Sequence, residues 1–238
     1  MGKIIGIIGG MGPLATVDIF EKIVKMTPAA TDQEHHRMMI YNNPKIPSRM
    51  EAGLGHGVSP LAELIDTARR LERAGADFLI MPCHTAHIWL NQIRREVRIP
   101  IISIVETTVS AIEQEHDPRL GQILLLSSQA TIRHGLYQEA FQERNMSIQL
   151  PTVEDQQFIE VVIQQVKASA IDHALINKLN SRLQFYFARG TRALLGGCTE
   201  IPLLFPLLQV QMKKWDPTLM LAQRAIELAK EKDGGEAS

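Results

Sequence analysis

Cys83 and Cys198 are the two cysteines in 238 residues, and each is followed at once by groups that hold anions or move protons. His84, Thr85 and His87 stand behind the first, Thr199 and Glu200 behind the second. With no C-x-x-C and no Cys/His finger spacing, neither a disulfide scaffold nor a structural zinc site accounts for them. A thiol at the carboxyl end of a strand, with a helix starting just beyond, lies near unpaired backbone N–H groups and the positive end of the helix dipole, both of which favour thiolate. Both cysteines are therefore expected to carry appreciable thiolate near neutral pH, beside hydroxyl, imidazole and N-cap groups able to hold a carboxylate.

Two cations join them. Arg49 closes Asn43-Pro44-Lys45-Ile46-Pro47-Ser48-Arg49, a proline-stiffened loop. Its guanidinium suits bidentate capture of a side-chain carboxylate, with a solvated loop charge as the alternative. Lys167 follows an apolar helical face, where a surface lysine is the default. His35, His36, His56 and His134 read as surface or capping residues, and no His/carboxylate set has metal-ligand spacing.

The elements that must position these residues follow a regular grammar. Lys3 to Ile8 is a β-branched run ended by glycines, and Pro13 to Met26 has apolar residues at helical spacing. Strands are then expected over 37–41, 78–81, 101–104, 123–126 and 193–195, alternating with helices over 60–74, 85–97, 107–115, 132–144, 158–166 and 174–188. Such alternation implies parallel sheets covered on both faces, the α/β class. Only 231–238 reads as a disordered tail.

A repeat sharpens the picture. Arg73-Ala74-Gly75-Ala76-Asp77-Phe78-Leu79-Ile80-Met81-Pro82-Cys83 superposes on Ala188-Arg189-Gly190-Thr191-Arg192-Ala193-Leu194-Leu195-Gly196-Gly197-Cys198. In each, a helix ends at a glycine, a hydrophobic strand follows, and the cysteine stands eight residues beyond the glycine. Strands ending near Gly9 and Ser127 precede the two cysteines at similar distances. Any two βαβ units share this grammar; taken as a true repeat, it means two similar domains, each with a cysteine where open α/β sheets bind ligands. A lone cysteine is more often core than catalyst, and two at equivalent positions reverse that default.

Two such domains facing across a pseudo-two-fold axis bring the thiols into one cleft from opposite sides. That suits inversion at a Cα, one sulfur removing the proton and the other returning one on the opposite face. Without an electron sink, the carbanion needs donors and cations at the carboxylate and tight positioning. Gly9 to Ala15 also contains G-x-G-x-x-A, formally a dinucleotide fingerprint, but the second strand ends Tyr41-Asn42-Asn43 where a ribose-binding acid belongs. The same loop can present N–H groups to a small carboxylate.

Composition narrows the partners. Lys+Arg number 25 against Asp+Glu 26, a net charge of -1, which gives no global attraction to nucleic acid or an anionic membrane. There is no signal-peptide pattern and no 18-residue apolar run, so cytoplasmic residence is the default expectation.

Ile7-Ile8-Gly9-Gly10-Met11-Gly12-Pro13-Leu14-Ala15-Thr16, Pro82-Cys83-His84-Thr85-Ala86-His87 and Gly197-Cys198-Thr199-Glu200-Ile201 together resemble the pyridoxal-independent aspartate/glutamate racemase family, its aspartate racemases above all. The likeness runs from about residue 3 to 230. It implies two Rossmann-like domains with the active site between them, residues 1–104 plus 212–238 and residues 105–211, in a homodimer. It also implies a two-thiol racemisation of a small amino acid with no cofactor and no metal. The family's catalytic cysteines fall on Cys83 and Cys198, its loop arginine on Arg49, its helical lysine on Lys167. Its substrate-binding positions fall on Met11, His84, Thr85, Ser128 and Thr199, with Glu200 beside them. Asp216-Pro217-Thr218 resembles its late Asp-x-Thr element, where the chain returns to the first domain. One residue departs: the family's C-N-T is here Cys83-His84-Thr85. A neutral imidazole can replace the asparagine's hydrogen bond; a protonated one would deepen thiolate character at Cys83, and the larger ring can alter substrate choice. The expectation is an aspartate racemase, with Arg49 and Lys167 on the β-carboxylate. A racemase for glutamate, a hydantoin or a broader amino-acid set, and a non-catalytic carboxylate-binding homologue, stay open beside it. A nucleotide-binding oxidoreductase is a distant alternative.

Overall fold

The computed structural model describes residues 2–115 and 121–230; the tail expected over 231–238 lies outside the described residues. The first half runs β1 (Ile5–Gly9), α1 (Pro13–Met26), β2 (Met38–Asn42), α2 (Arg49–Gly53), α3 (Leu61–Ala74), β3 (Phe78–Ile80), α4 (Leu90–Arg94), β4 (Ile101–Ile102) and α5 (Ile104–Glu115). The second runs β5 (Gln122–Ser127), α6 (Gln129–Arg133), α7 (Leu136–Gln142), α8 (Val153–Lys167), α9 (His173–Ala188), β6 (Thr191–Gly197) and β7 (Lys213–Trp215), and α10 (Pro217–Lys230) follows.

Both sheets are parallel, with strand orders β2-β1-β3-β4 and β5-β6-β7. Between them lies a helical layer: α10 packs on α1 and α5, and α5 packs on α7. One apolar cluster runs through it from Ile5, Ile7 and Ile80 of the first sheet to Ile123, Leu125 and Leu195 of the second, by way of Ile19, Val109, Tyr137 and Leu221. The outer faces have their own cores, α3 over the first sheet and α8 with α9 over the second. Each fully buried Ile or Leu contributes about 1.5–3 kcal/mol, so the shared layer binds the two sheets strongly.

The repeat is physical. β1 pairs with β3 and β5 with β6, and Gly75 and Gly190, with φ of 100° and 98°, end the helices that lead into the cysteine-bearing strands. Cys83 and Cys198 stand just past the carboxyl ends of β3 and β6.

Local chemistry shifts several boundaries. The helix expected over 85–97 is a 3₁₀ turn, Thr85–Trp89, followed by the short α4. The strand expected to reach residue 104 stops at Ile102, because Ser103 accepts the Glu106 N–H at 3.2 Å and starts α5. The helix expected over 132–144 is two helices, parted by Gly135 at φ 65°. The short α2, β7 and α10 were not anticipated. Arg49, placed by sequence in a loop, is the first residue of α2, capped by Ser48, whose hydroxyl accepts the Glu51 N–H at 3.3 Å.

Candidate functional site

The loops beyond β1, β3, β5 and β6, together with α2 and the end of α8, enclose a cavity of about 320 Å³. Cys83 and Cys198 both line it, one from each sheet. So do Met11, Arg49, His84, Thr85, Ser128, Lys167, Thr199 and Glu200, so every site residue expected from sequence meets in one place. Cys83, Cys198, His84, Thr199 and Glu200 are all buried. Among the described residues, no group of three or more His, Cys, Asp or Glu is placed to hold a metal, and no helix is long and apolar enough to cross a membrane.

At the first cysteine the chain turns straight into a 3₁₀ helix, and two histidines take different tasks. His87 is buried and bonded on both ring nitrogens: Nδ1–H donates to the Cys83 carbonyl at 2.8 Å, and Nε2 accepts the Ile104 N–H at 3.1 Å. This ties the Cys83 loop to the first turn of α5. Burial pulls its pKa down to about 4, the Cys83 carbonyl opposing, so the ring is neutral. His84 lines the cavity, its Nδ1 2.8 Å from the Tyr137 hydroxyl and its Nε2 buried without a protein partner. Burial, then the neighbouring His87, holds its pKa well below the ordinary range. Of the two states foreseen for His84, the neutral one holds.

Thr85, Ser128 and Thr131 form a triangle of hydroxyls at 2.9, 3.0 and 3.0 Å, joining the first half to the second at the cavity wall. At the second cysteine, Sγ–H donates to Glu200 Oε2 at 2.9 Å, and the Thr199 hydroxyl reaches the same oxygen at 3.3 Å. Burial and then the Glu200 carboxylate push the Cys198 thiol well above its ordinary range, with Lys167 pulling the other way. The thiolate expected of both cysteines is thus overturned at Cys198. The helix beyond it is a six-residue 3₁₀ turn, Pro202–Leu207, too short for a strong dipole, and the nearest charge is negative.

Two cations line the same cavity. Arg49 Nη1 donates to the carbonyls of Ile46 and Pro47, each at 2.9 Å, while its buried Nε has no partner. Lys167 is exposed, as the default reading has it, and it ends α8 where it also lines the cavity. Its surroundings desolvate it, but Cys198, Glu200 and Cys83 outweigh that and raise its pKa, so it is a cation.

Sequence reasoning missed Glu160, Ile163 and Gln164, which line the cavity beside Lys167. The signal was present: 160, 163, 164 and 167 share one helical face. Ile46, Ser48 and Met50, also missed, flank Arg49. Tyr137 and Thr131 had no such signal, since they reach the site from the other half of the chain. Chemically, the cavity offers two thiols, one neutral imidazole, a hydroxyl cluster and two cations, together with the carboxylates of Glu160 and Glu200, a set able to hold a small zwitterion by its charged groups while protons move at sulfur.

A model of the Asp/Glu/hydantoin racemase family matches residues 8–225. Among curated proteins, the broad specificity amino-acid racemase RacX of Bacillus subtilis is 31% identical over 148 residues, which take in 60% of this chain and 63% of that protein, under two thirds of its length. Glutamate racemase of Corynebacterium glutamicum is 25% identical over 210 residues, 84% of this chain and 72% of that one. Among solved structures, Picrophilus torridus aspartate racemase superposes with a TM-score of 0.85 at 32% identity, covering 97% of this chain and 96% of that chain.

Proposed function

The chain belongs to the Asp/Glu/hydantoin racemase family, and from that premise we propose that it is a cofactor-independent amino-acid racemase acting on aspartate, with Cys83 and Cys198 as the opposed acid and base. The observation that carries this reading is one thiol from each sheet in the wall of a single small cavity that also holds two cations. On this reading the α-carboxylate lies against Thr85, Ser128 and Thr199, with the His84 ring beside them. One sulfur takes the Cα proton and the other delivers one to the opposite face, while the fixed donors and cations stabilise the carbanion without reorganising.

Arg49 and Lys167 serve the β-carboxylate. The buried, unpartnered Nε of Arg49 supports this, because a bound carboxylate would satisfy it. The test is a comparison of initial racemisation rates for aspartate, glutamate and a neutral amino acid such as alanine. Aspartate is expected to lead, with Arg49→Ala removing that lead. A preference for the neutral substrate would overturn the role given to Arg49 and favour a broader specificity.

A further inference from the structure

An amino acid carries an ammonium as well as its carboxylates, and neither Arg49 nor Lys167 can receive it. Glu200 is turned to its own loop, where Oε2 accepts the Cys198 Sγ–H at 2.9 Å and the Thr199 hydroxyl at 3.3 Å. The other carboxylate in the cavity wall is Glu160, on the face of α8 that also carries Gln164 and Lys167. Its Oε1 accepts the Gln129 N–H and, at 3.4 Å, the Gln156 amide. Neither donor is a cation. Its Oε2 is buried and meets no protein donor.

We infer that Glu160 receives the α-ammonium of the bound amino acid through Oε2, while Oε1 stays fixed to the N–H of Gln129 at the start of α6. The inference rests on the racemase reading and deepens it. A buried carboxylate oxygen without a donor is costly, and an N–H of the ammonium would satisfy it with a charge-assisted bond. Position agrees with chemistry here. On an α-amino acid the ammonium and the α-carboxylate share one carbon, so the groups that receive them must be neighbours. Glu160 is anchored on Gln129, the residue after Ser128, whose hydroxyl belongs to the cluster placed against the α-carboxylate. Lys167, given to the β-carboxylate, stands about two turns further along the same helical face.

Receiving the ammonium does more than hold the substrate. A carboxylate at hydrogen-bond distance favours the protonated amine. The positive charge kept beside Cα stabilises the carbanion that forms when sulfur removes the Cα proton. It also sets the ligand class: α-amino dicarboxylates over plain dicarboxylates of the same length.

Equilibrium binding separates the ammonium from the carboxylates. Racemic aspartate, whose composition turnover cannot change, and succinate, with the same two carboxylates and no ammonium, are titrated calorimetrically into the wild-type chain and Glu160→Gln. The amide keeps the size of the side chain and an oxygen for the Gln129 N–H, and loses the charge. The Kd for aspartate is expected to rise about tenfold in Glu160→Gln, with that for succinate unchanged or lower because a like charge has gone. Glutamate and glutarate make the same comparison for a longer side chain. A merely structural role would weaken both members of a pair alike. That result, or an amino-acid Kd unmoved, would overturn the inference and leave the racemase reading standing. Failure of the wild-type chain to bind either amino acid would overturn both. Selective loss of the amino acid in Glu160→Gln, from a wild type that does not exchange the Cα proton, would sustain the inference and overturn the racemase reading alone.

Discussion

At the cavity wall the residue that departs from the family pattern is supported by one the sequence does not advertise. His84 is a buried neutral ring whose Nδ1 is held by Tyr137, so its Nε2 is left for a ligand. Tyr137→Phe removes that hold while keeping the packing of a fully buried ring. Loss of one buried hydrogen bond costs about 1–3 kcal/mol. The expected outcome is a rise in KM for aspartate of about tenfold with a smaller change in kcat, and little further effect of the same substitution once His84 is Asn. Equal effects in both backgrounds, measured by steady-state kinetics, would show that Tyr137 does not act through His84. The repeat marks the two cysteines and the family resemblance points to Arg49 and Lys167, and all four line the cavity. Tyr137 was not legible in the sequence, since nothing within the α7 sequence indicates that its hydroxyl meets an imidazole from the other half.

Elements decide how the site is held together, and here sequence reading succeeded where one local rule dominated. Pro13 at the start of α1 and the left-handed glycines after α3 and α9 fix those boundaries, and the expected α1 coincides with the observed one. It failed where the apolar pattern ran on past a local break, as at the left-handed Gly135 between α6 and α7, and where the backbone tightened to a 3₁₀ turn after Cys83. The least visible element is α2, which carries Arg49. It is clasped by the second half: His134 Nε2–H donates to the Gly53 carbonyl at 2.7 Å, and Arg133 donates to that of Leu54 at 3.2 Å. A methyl group on Gly53 would come within 2.9 Å of Ile88 Cδ1 and 3.0 Å of Ala130 Cβ, so both neighbours would have to give way to anything larger than glycine. Gly53→Ala is expected to cost about 1–3 kcal/mol by overpacking and to raise KM by shifting Arg49. Unchanged KM and melting temperature would show that α2 does not depend on this contact.

Over the whole molecule, one apolar cluster runs through the shared helical layer from sheet to sheet, and buried neutral histidines make the fold sensitive to acid. His87 has a folded pKa of about 4 against an ordinary 6.5. The unfolded chain therefore binds this proton more readily, and the stability it confers is complete above about pH 6.5 and declines as pH falls toward 4. That decline amounts to about 3 kcal/mol, with His84 adding in the same direction. Melting temperature is expected to drop steadily between pH 6.5 and 4.5, and a flat profile would contradict the burial of both rings. The paired role of the two thiols is tested most directly by proton NMR of aspartate in D₂O with the wild-type chain, Cys83→Ala and Cys198→Ala. Deuterium is expected at Cα with the wild type, alongside loss of optical activity, and both are expected to vanish in either variant. Racemisation with Cα exchange persisting at the wild-type rate in either single variant would contradict the two-thiol account.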